Sequence, residues 1–309
     1  MSQDTTLQTT IDDYIQAEMR IHQIPGLALA IIQNSEVIKL SSYGVANIEH
    51  NVPVTPQTIF QTGSIGKQFA ATAIMHLMED GKVNLDDPIR TYFSNAPDAW
   101  LGVTIRHLLS HTSGIDGGYP HFDLRKDYTE DELFNIAASV PPISPPGDKW
   151  EYNNTGYIVP NRAAGYRLEE GVLKNQAWVS PTFNSTADGA LYVSITGMIQ
   201  WEQGLAQGTA INPKSLQQMW TGTPLNDGTM AAYGFGWYIT TTNGRNVVYH
   251  GGRWQGFTSH IARYTDDKLT IILLNNLADT PHLQITKNVA GICIPTQETT
   301  PSMANPIPV

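Results

Sequence analysis

The spacing of hydrophobic positions changes along this chain, and the changes mark out its elements. In "TTIDDYIQAEMRIHQ", Ile11, Tyr14, Ile15 and Met19 recur at helical intervals, so the chain opens on a helix. "GLALAIIQ" and "EVIKLSSYG" follow as short apolar runs joined by "NSE", the pattern of a β-hairpin. Residues 65–78 then read "IGKQFAATAIMHLM". This run is apolar nearly all round and rich in alanine, which predicts a buried helix closed by Gly81. Residues 104–110 and 129–139 are further helix candidates, and paired prolines at 141–142 and 145–146 mark a long loop before "KWEYNNTGY".

The last third changes character. "ITGMIQWEQGLA" and "NPKSLQQMW" read as helices. Closely spaced β runs follow: "YGFGWYITT", "RNVVYH", "GFTSHIARY" and "KLTIILLNN", the first two joined by the hairpin signal Asn243-Gly244. "TPHLQITKNVAGI" predicts a closing helix, and the Pro- and Thr-rich end a disordered tail.

Strands therefore lie at both ends and helices in the middle. Two N-terminal strands are too few to be stable alone. They are expected to join the C-terminal ones in an α+β fold: an antiparallel five-stranded sheet flanked by terminal helices, carrying an inserted, mainly helical lobe. The expected boundaries are 1–62 and 190–295 for the sheet lobe, 63–189 for the helical lobe and 296–309 for the tail. Ser64, at the junction of sheet and helix, then faces a cleft between the lobes.

Composition narrows the classes of function. The 309 residues are 41% hydrophobic and only 15% charged, the balance of a globular protein with an ample core. A net charge of -10 without any basic stripe argues against nucleic acid as a partner. The single cysteine, Cys293, rules out an internal disulfide. No apolar run has the length of a membrane span, and the N-terminal stretch lacks the basic and apolar regions of a secretory signal. The expectation is a soluble cytoplasmic protein, or a periplasmic or secreted one if a leader has been removed.

Candidate chemistry centres on "QTGSIGKQF". A phosphate-cradling loop would need glycine at position 61 and Ser or Thr at 68, and both are glutamine. The remaining reading is Ser64-x-x-Lys67. Residues three apart share a helix face, so Lys67 can reach the Ser64 hydroxyl. A serine needs a base, and lysine is one only when neutral. Burial and the positive end of a helix dipole both favour the neutral amine. The bland alternative makes Ser64 an N-cap and Lys67 a solvated surface residue.

Two further stretches extend the pattern. "WEYNNTGY" places Tyr152, Asn153 and Asn154 after a Pro-Gly loop, and "VVYHGGRWQGF" places His250, Gly251 and Gly252 at the end of a strand. In this order, with Ser64-x-x-Lys67 first, the set resembles the serine β-lactamase and penicillin-binding-protein superfamily. The branch it resembles most holds class C β-lactamases, DD-peptidases, D-aminopeptidases and family VIII carboxylesterases. "IRHLLSHTSGI", "ADGALYVSITGMIQW" and "YGFGW" are similar to that branch too.

The resemblance implies a catalytic set of Ser64, Lys67, Tyr152 and His250. Ser64 would be acylated and Lys67 would take its proton. Tyr152 would relay protons to the leaving group and help activate the deacylating water. Asn154 would hold Lys67 and the substrate. His250 stands where many relatives carry a lysine. Gly251 and Gly252 would let substrate lie along the strand edge without clash. The backbone N–H of Arg253 would join that of Ser64 as an oxyanion donor. His111 and Ser113 of "SHTSG" read as structural residues of a turn, without a catalytic role. The scattered histidines, with no H-E-x-x-H and no cysteine partner, argue against a metal site, and no cofactor is expected.

The implied function is a serine hydrolase that forms an acyl-enzyme on small esters, amides or D-peptides, as a carboxylesterase, D-amino-acid peptidase or DD-peptidase. Histidine in place of lysine weakens the pull on a substrate carboxylate, so weak or no β-lactam turnover is expected. The alternative is a catalytically silent relative that binds a peptide or partner protein in the same cleft.

One departure stands out. Relatives continue after the Tyr-x-Asn motif with a long apolar helix, whereas here "NNTGYI" runs directly into "VPNRAAGYRLEEG". A lost core helix would bare apolar surface on its neighbours, and a homodimer covering the gap is the expected consequence.

Overall fold

The computed structural model describes residues 2–117, 122–123, 125–154, 166–170, 172–175 and 191–294. Helix α1 (Ser2–His22) leads into the hairpin β1 (Gly26–Gln33) and β2 (Glu36–Asn47), then β3 (Val52–Pro53) and β4 (Ile59–Gln61). A single 3-10 turn, Gly63–Ile65, precedes α2 (Gly66–Glu79). Two capped helices follow, α3 (Ile105–Leu109) and α4 (Glu130–Ser139). Thr104 and Thr129 each accept the backbone N–H three residues on, while that residue's side chain accepts theirs in return.

The hairpin β5 (Tyr166–Glu169) and β6 (Val172–Asn175) precedes β7 (Tyr192–Ser194), α5 (Ile195–Gln207) and α6 (Pro213–Met219). Ser194 caps α5, which ends on Gly208 at φ 70°, and Asn212 with Pro213 opens α6. The chain closes with the small pair β8 (Thr223–Pro224) and β9 (Met230–Ala231), then β10 (Tyr238–Thr242), β11 (Arg245–Trp254), β12 (Phe257–Tyr264), β13 (Leu269–Asn275) and α7 (His282–Cys293).

The sheet has seven strands in the order β10-β11-β12-β13-β1-β2-β3, antiparallel throughout. The N- and C-terminal strands share one sheet, as the hydrophobic pattern requires. Its count exceeds the expected five: β10, read in the sequence as the run "YGFGWYITT", forms one edge, and the two-residue β3, which the sequence did not announce, forms the other.

β1 and β13 lie at the centre, and their unbroken apolar runs follow from burial on both faces. Leu27, Leu29 and Ile31 pack with Ile11 and Ile15 of α1 and with Ile285 and Val289 of α7. The alternate residues Ala28, Ala30 and Ile32 belong to the opposite core, which takes in Ala71 and Met75 of α2 and Met198 of α5. That second core joins the sheet to the helical middle. β4 pairs with β7, Phe60 opposite Val193, and the Thr62 N–H donates to the Leu191 carbonyl at 2.8 Å. This junction holds the Ser64 turn against β11.

The segment after Ile158, where a helix is expected to be missing, lies outside the described residues, as does the tail from 295 onward. Among the described residues no helix is long and apolar enough to cross a membrane.

Candidate active site

The site begins with a glycine that the motif reading passed over. Gly63 adopts φ 54°, and a Cβ there would stand 2.6 Å from the Arg253 nitrogen. Only glycine allows the turn to press so closely on β11. The turn hands the chain to α2, so Ser64 and Lys67 project from the same first turn. Lys67 Nζ stands 3.1 Å from Ser64 Oγ and 2.8 Å from Asn154 Oδ1. The lysine is fully buried, with 0% exposure. Neither the 3-10 turn nor α2 has a side-chain cap, so Ser64 is not an N-cap and Lys67 is not a solvated surface residue.

Tyr152 and Asn154 reach this point on the loop that follows α4. The Tyr152 ring lies under the Lys67 amine, 4.8 Å from nitrogen to centroid. Residues 111–115 cradle the loop. Thr112 and Gly114 carbonyls accept the N–H groups of Gly147 and Ile143, each at 2.8 Å. The Ile115 carbonyl accepts from the Asn153 side-chain amide.

β11 forms the opposite wall. The Asn243-Gly244 turn closes the β10–β11 hairpin on Thr242 and Arg245, so odd-numbered β11 residues aim their peptide groups at β10. Pairing with β10 ends at Tyr249. The peptide groups of Gly251 and Arg253 therefore face an edge that β10 leaves uncovered, and the Gly63–Ser64 turn abuts that edge. The sequence reading ended the strand at His250-Gly251-Gly252, but β11 runs on to Trp254.

The glycines answer to the protein itself. Gly252 faces the Thr62 carbonyl, and Gly251 faces the His282 ring, whose Nε2 would stand 2.5 Å from an added Cβ. Their lack of side chains is set by these internal neighbours, before any substrate is considered.

His250 is buried, and both of its ring nitrogens are engaged. Nδ1 lies 2.7 Å from the Gly251 carbonyl, which can only accept, so Nδ1 carries the proton. Nε2 is then the acceptor, and the Tyr233 hydroxyl donates to it at 3.0 Å. Burial, the leading cause, pushes this histidine down to about 3. Burial likewise holds His111 well below the usual histidine range. The third motif thus presents a neutral ring at neutral pH.

Tyr233, from "YGFGW", is a site residue that pattern reading left without a role. Its signal was a single buried tyrosine in a glycine-rich stretch, which packing alone would explain. Among the described residues no group of three or more His, Cys, Asp or Glu could hold a metal ion.

The Beta-lactamase family model matches residues 11–160 and 158–291. The two stretches meet where the sequence departs from its relatives. The chain is 24% identical to penicillin-binding protein 4* of Bacillus subtilis over 314 positions, covering 82% of this chain and 68% of that protein. It is 27% identical to a D-aminopeptidase of Gluconobacter oxydans over 299 positions, covering 82% of this chain and 56% of that protein. The chain spans from about half to two-thirds of the length of these relatives. The 314 positions exceed the matched part of this 309-residue chain, so the Bacillus protein carries residues in the aligned span that this chain lacks. Among solved structures, the octameric penicillin-binding protein homologue of Pyrococcus abyssi superposes with a TM-score of 0.79 at 24% identity, over 92% of this chain and 77% of that one. The D-amino acid amidase of Ochrobactrum anthropi superposes with a TM-score of 0.76 at 20% identity, over 92% of this chain and 97% of that one. With its fold matched by these structures and its sequence by the family model over most of its length, the chain belongs to the beta-lactamase family.

Proposed function

We propose that the chain is a serine hydrolase that forms an acyl-enzyme on Ser64, acting on small esters or D-amino-acid amides. The observation that carries this reading is the buried Lys67 amine, within hydrogen-bond reach of both Ser64 Oγ and Asn154 Oδ1. A neutral amine there donates one N–H to Asn154 and offers its lone pair to the serine proton. Ser64 Oγ attacks the carbonyl carbon as that proton passes to Lys67. The peptide N–H groups of Ser64 and Arg253 would receive the oxyanion, a reading supported by the close packing of Gly63 on the Arg253 nitrogen. Lys67 and Tyr152 return the proton to the leaving alcohol or amine. Water then attacks the ester on Ser64, with the same pair as base, and frees the acid.

The environment of His250 supports the substrate class. A ring that is neutral and engaged at both nitrogens supplies no cation for a substrate carboxylate. Esters and amides without a carboxylate at that end fit better than penicillins or peptides ending in a free acid. The D-aminopeptidase and amidase relatives are consistent with this preference.

The test is a p-nitrophenyl short-chain ester mixed with the folded protein. A burst of nitrophenol followed by turnover is expected. Silence from native protein leaves the binding-only alternative. A second copy covering the gap after Ile158 belongs to the same reading, and a monomer by sedimentation at micromolar concentration overturns it.

A further inference from the structure

His111 sits in the left-handed region at φ 59°, a conformation costly for a side chain that carries a Cβ. Its surroundings explain why a histidine is held there. Its carbonyl accepts the Glu151 N–H at 2.9 Å, and its Nδ1 accepts the Asn153 N–H at 3.1 Å. Those two peptide groups flank Tyr152. The imidazole also lies against the Tyr152 ring, with centroids 4.4 Å apart, and against Tyr233 at 4.8 Å. The other bonds of the cradle come from the carbonyls of Thr112, Gly114 and Ile115, which any side chain would leave in place. The bond to Nδ1 depends on the residue at 111.

We propose that His111 is the positioning residue of the Tyr152–Asn154 loop, its carbonyl and Nδ1 gripping the peptide groups on either side of Tyr152. The inference rests on the acyl-transfer reading for its consequence and on geometry alone for the grip. It requires His111 to be neutral with its proton on Nε2, because Nδ1 must keep a lone pair for the Asn153 N–H. Burial, which holds this ring well below the usual histidine range, is consistent with that state. The ring touches no reacting atom in this account. It acts by holding Tyr152 under Lys67.

Two substitutions separate the grip from general packing. Asparagine tolerates positive φ and can offer Oδ1 to the Asn153 N–H. Glycine tolerates the backbone and offers no acceptor. With a p-nitrophenyl ester, His111→Gly is expected to lower kcat about 100-fold with KM nearly unchanged, the scale of an ångström of misplacement. His111→Asn should recover most of that loss. Equal losses in both variants, or none in either, overturn the proposal.

A readout without turnover accompanies them. Nitrogen-15 NMR of the imidazole should show a bare Nδ1 and a protonated Nε2 at neutral pH. The Asn153 amide should exchange slowly in the native protein and in His111→Asn, and faster in His111→Gly. A protonated Nδ1, or an Asn153 amide indifferent to both changes, refutes the grip even if the ester test fails. A silent native enzyme with the expected tautomer and exchange leaves the grip standing and removes only the acyl-transfer reading.

Discussion

The carbonyl oxygen of Thr62 lies 1.8 Å from where a Cβ on Gly252 would stand. The Ser259 hydroxyl donates to the same oxygen. Thr62 precedes the Gly63–Ser64 turn, so this contact sets the depth at which that turn enters β11. An added Cβ would also stand 2.5 Å from the Ser259 hydroxyl, but the nearer obstacle is backbone, so Gly252→Ala must displace the chain at Thr62. It is expected to cost at least about 3 kcal/mol, the upper end for overpacking, in a urea midpoint at unchanged slope.

Gly251 offers the contrasting case. Its obstacle is the end of the His282 side chain, 2.5 Å from the added Cβ. Gly251→Ala should therefore be destabilising alone and largely relieved in the double variant with His282→Ala. A double-mutant cycle measures this. Additive losses would show that His282 is not what requires the glycine.

Removing the Tyr233 hydroxyl strands a buried acceptor. Tyr233→Phe leaves Nε2 of His250 without the donor seen at 3.0 Å, at an expected cost of about 1–3 kcal/mol. A denaturant titration reads the loss. The partner variant His250→Lys should shift preference towards carboxylate-bearing substrates. Competition between a penicillin and a neutral ester for Ser64 measures that shift.

Acid should unfold this protein early. His111, His250, His260 and His282 are all held below the ordinary histidine value, with burial the leading cause in each. Between the native values and the unfolded value of about 6.5, the unfolded chain binds more protons, so stability rises with pH. The stability from these neutral rings is complete above about pH 6.5 and falls as pH drops through that value towards the native ones. The midpoint of thermal unfolding followed from pH 8 to pH 4 checks the sign. A midpoint that holds steady or rises on acidification contradicts it.

Much of this was legible in the sequence. The apolar runs of β1 and β13 announced strands, although their burial on both faces emerged only in the fold. Asn243-Gly244 announced its hairpin, and a lysine inside the apolar α2 run announced a buried amine. The continuation of the His250 strand past Gly251 and Gly252 to Trp254 was not legible, because glycine usually weakens a strand. Here the glycines are set by Thr62 and His282, which are distant in sequence and close only after folding. The grip of His111 was hidden for the same reason. A histidine in a turn looks the same whether or not its ring nitrogen meets a peptide group forty residues away. The pairing of β4 with β7 joins residues 59–61 to 192–194, and no local pattern encodes such a contact.

The Ser64–Lys67 pair is the centre of the account, and covalent labelling tests it most directly. Native protein treated with a fluorophosphonate should gain one adduct by intact mass, mapped to Ser64 by peptide digestion. The adduct should vanish in Ser64→Ala and form at least about 100-fold more slowly in Lys67→Ala, the lower range for a lost general base. Folded protein that gains no adduct, or an adduct that persists in Ser64→Ala, contradicts the account.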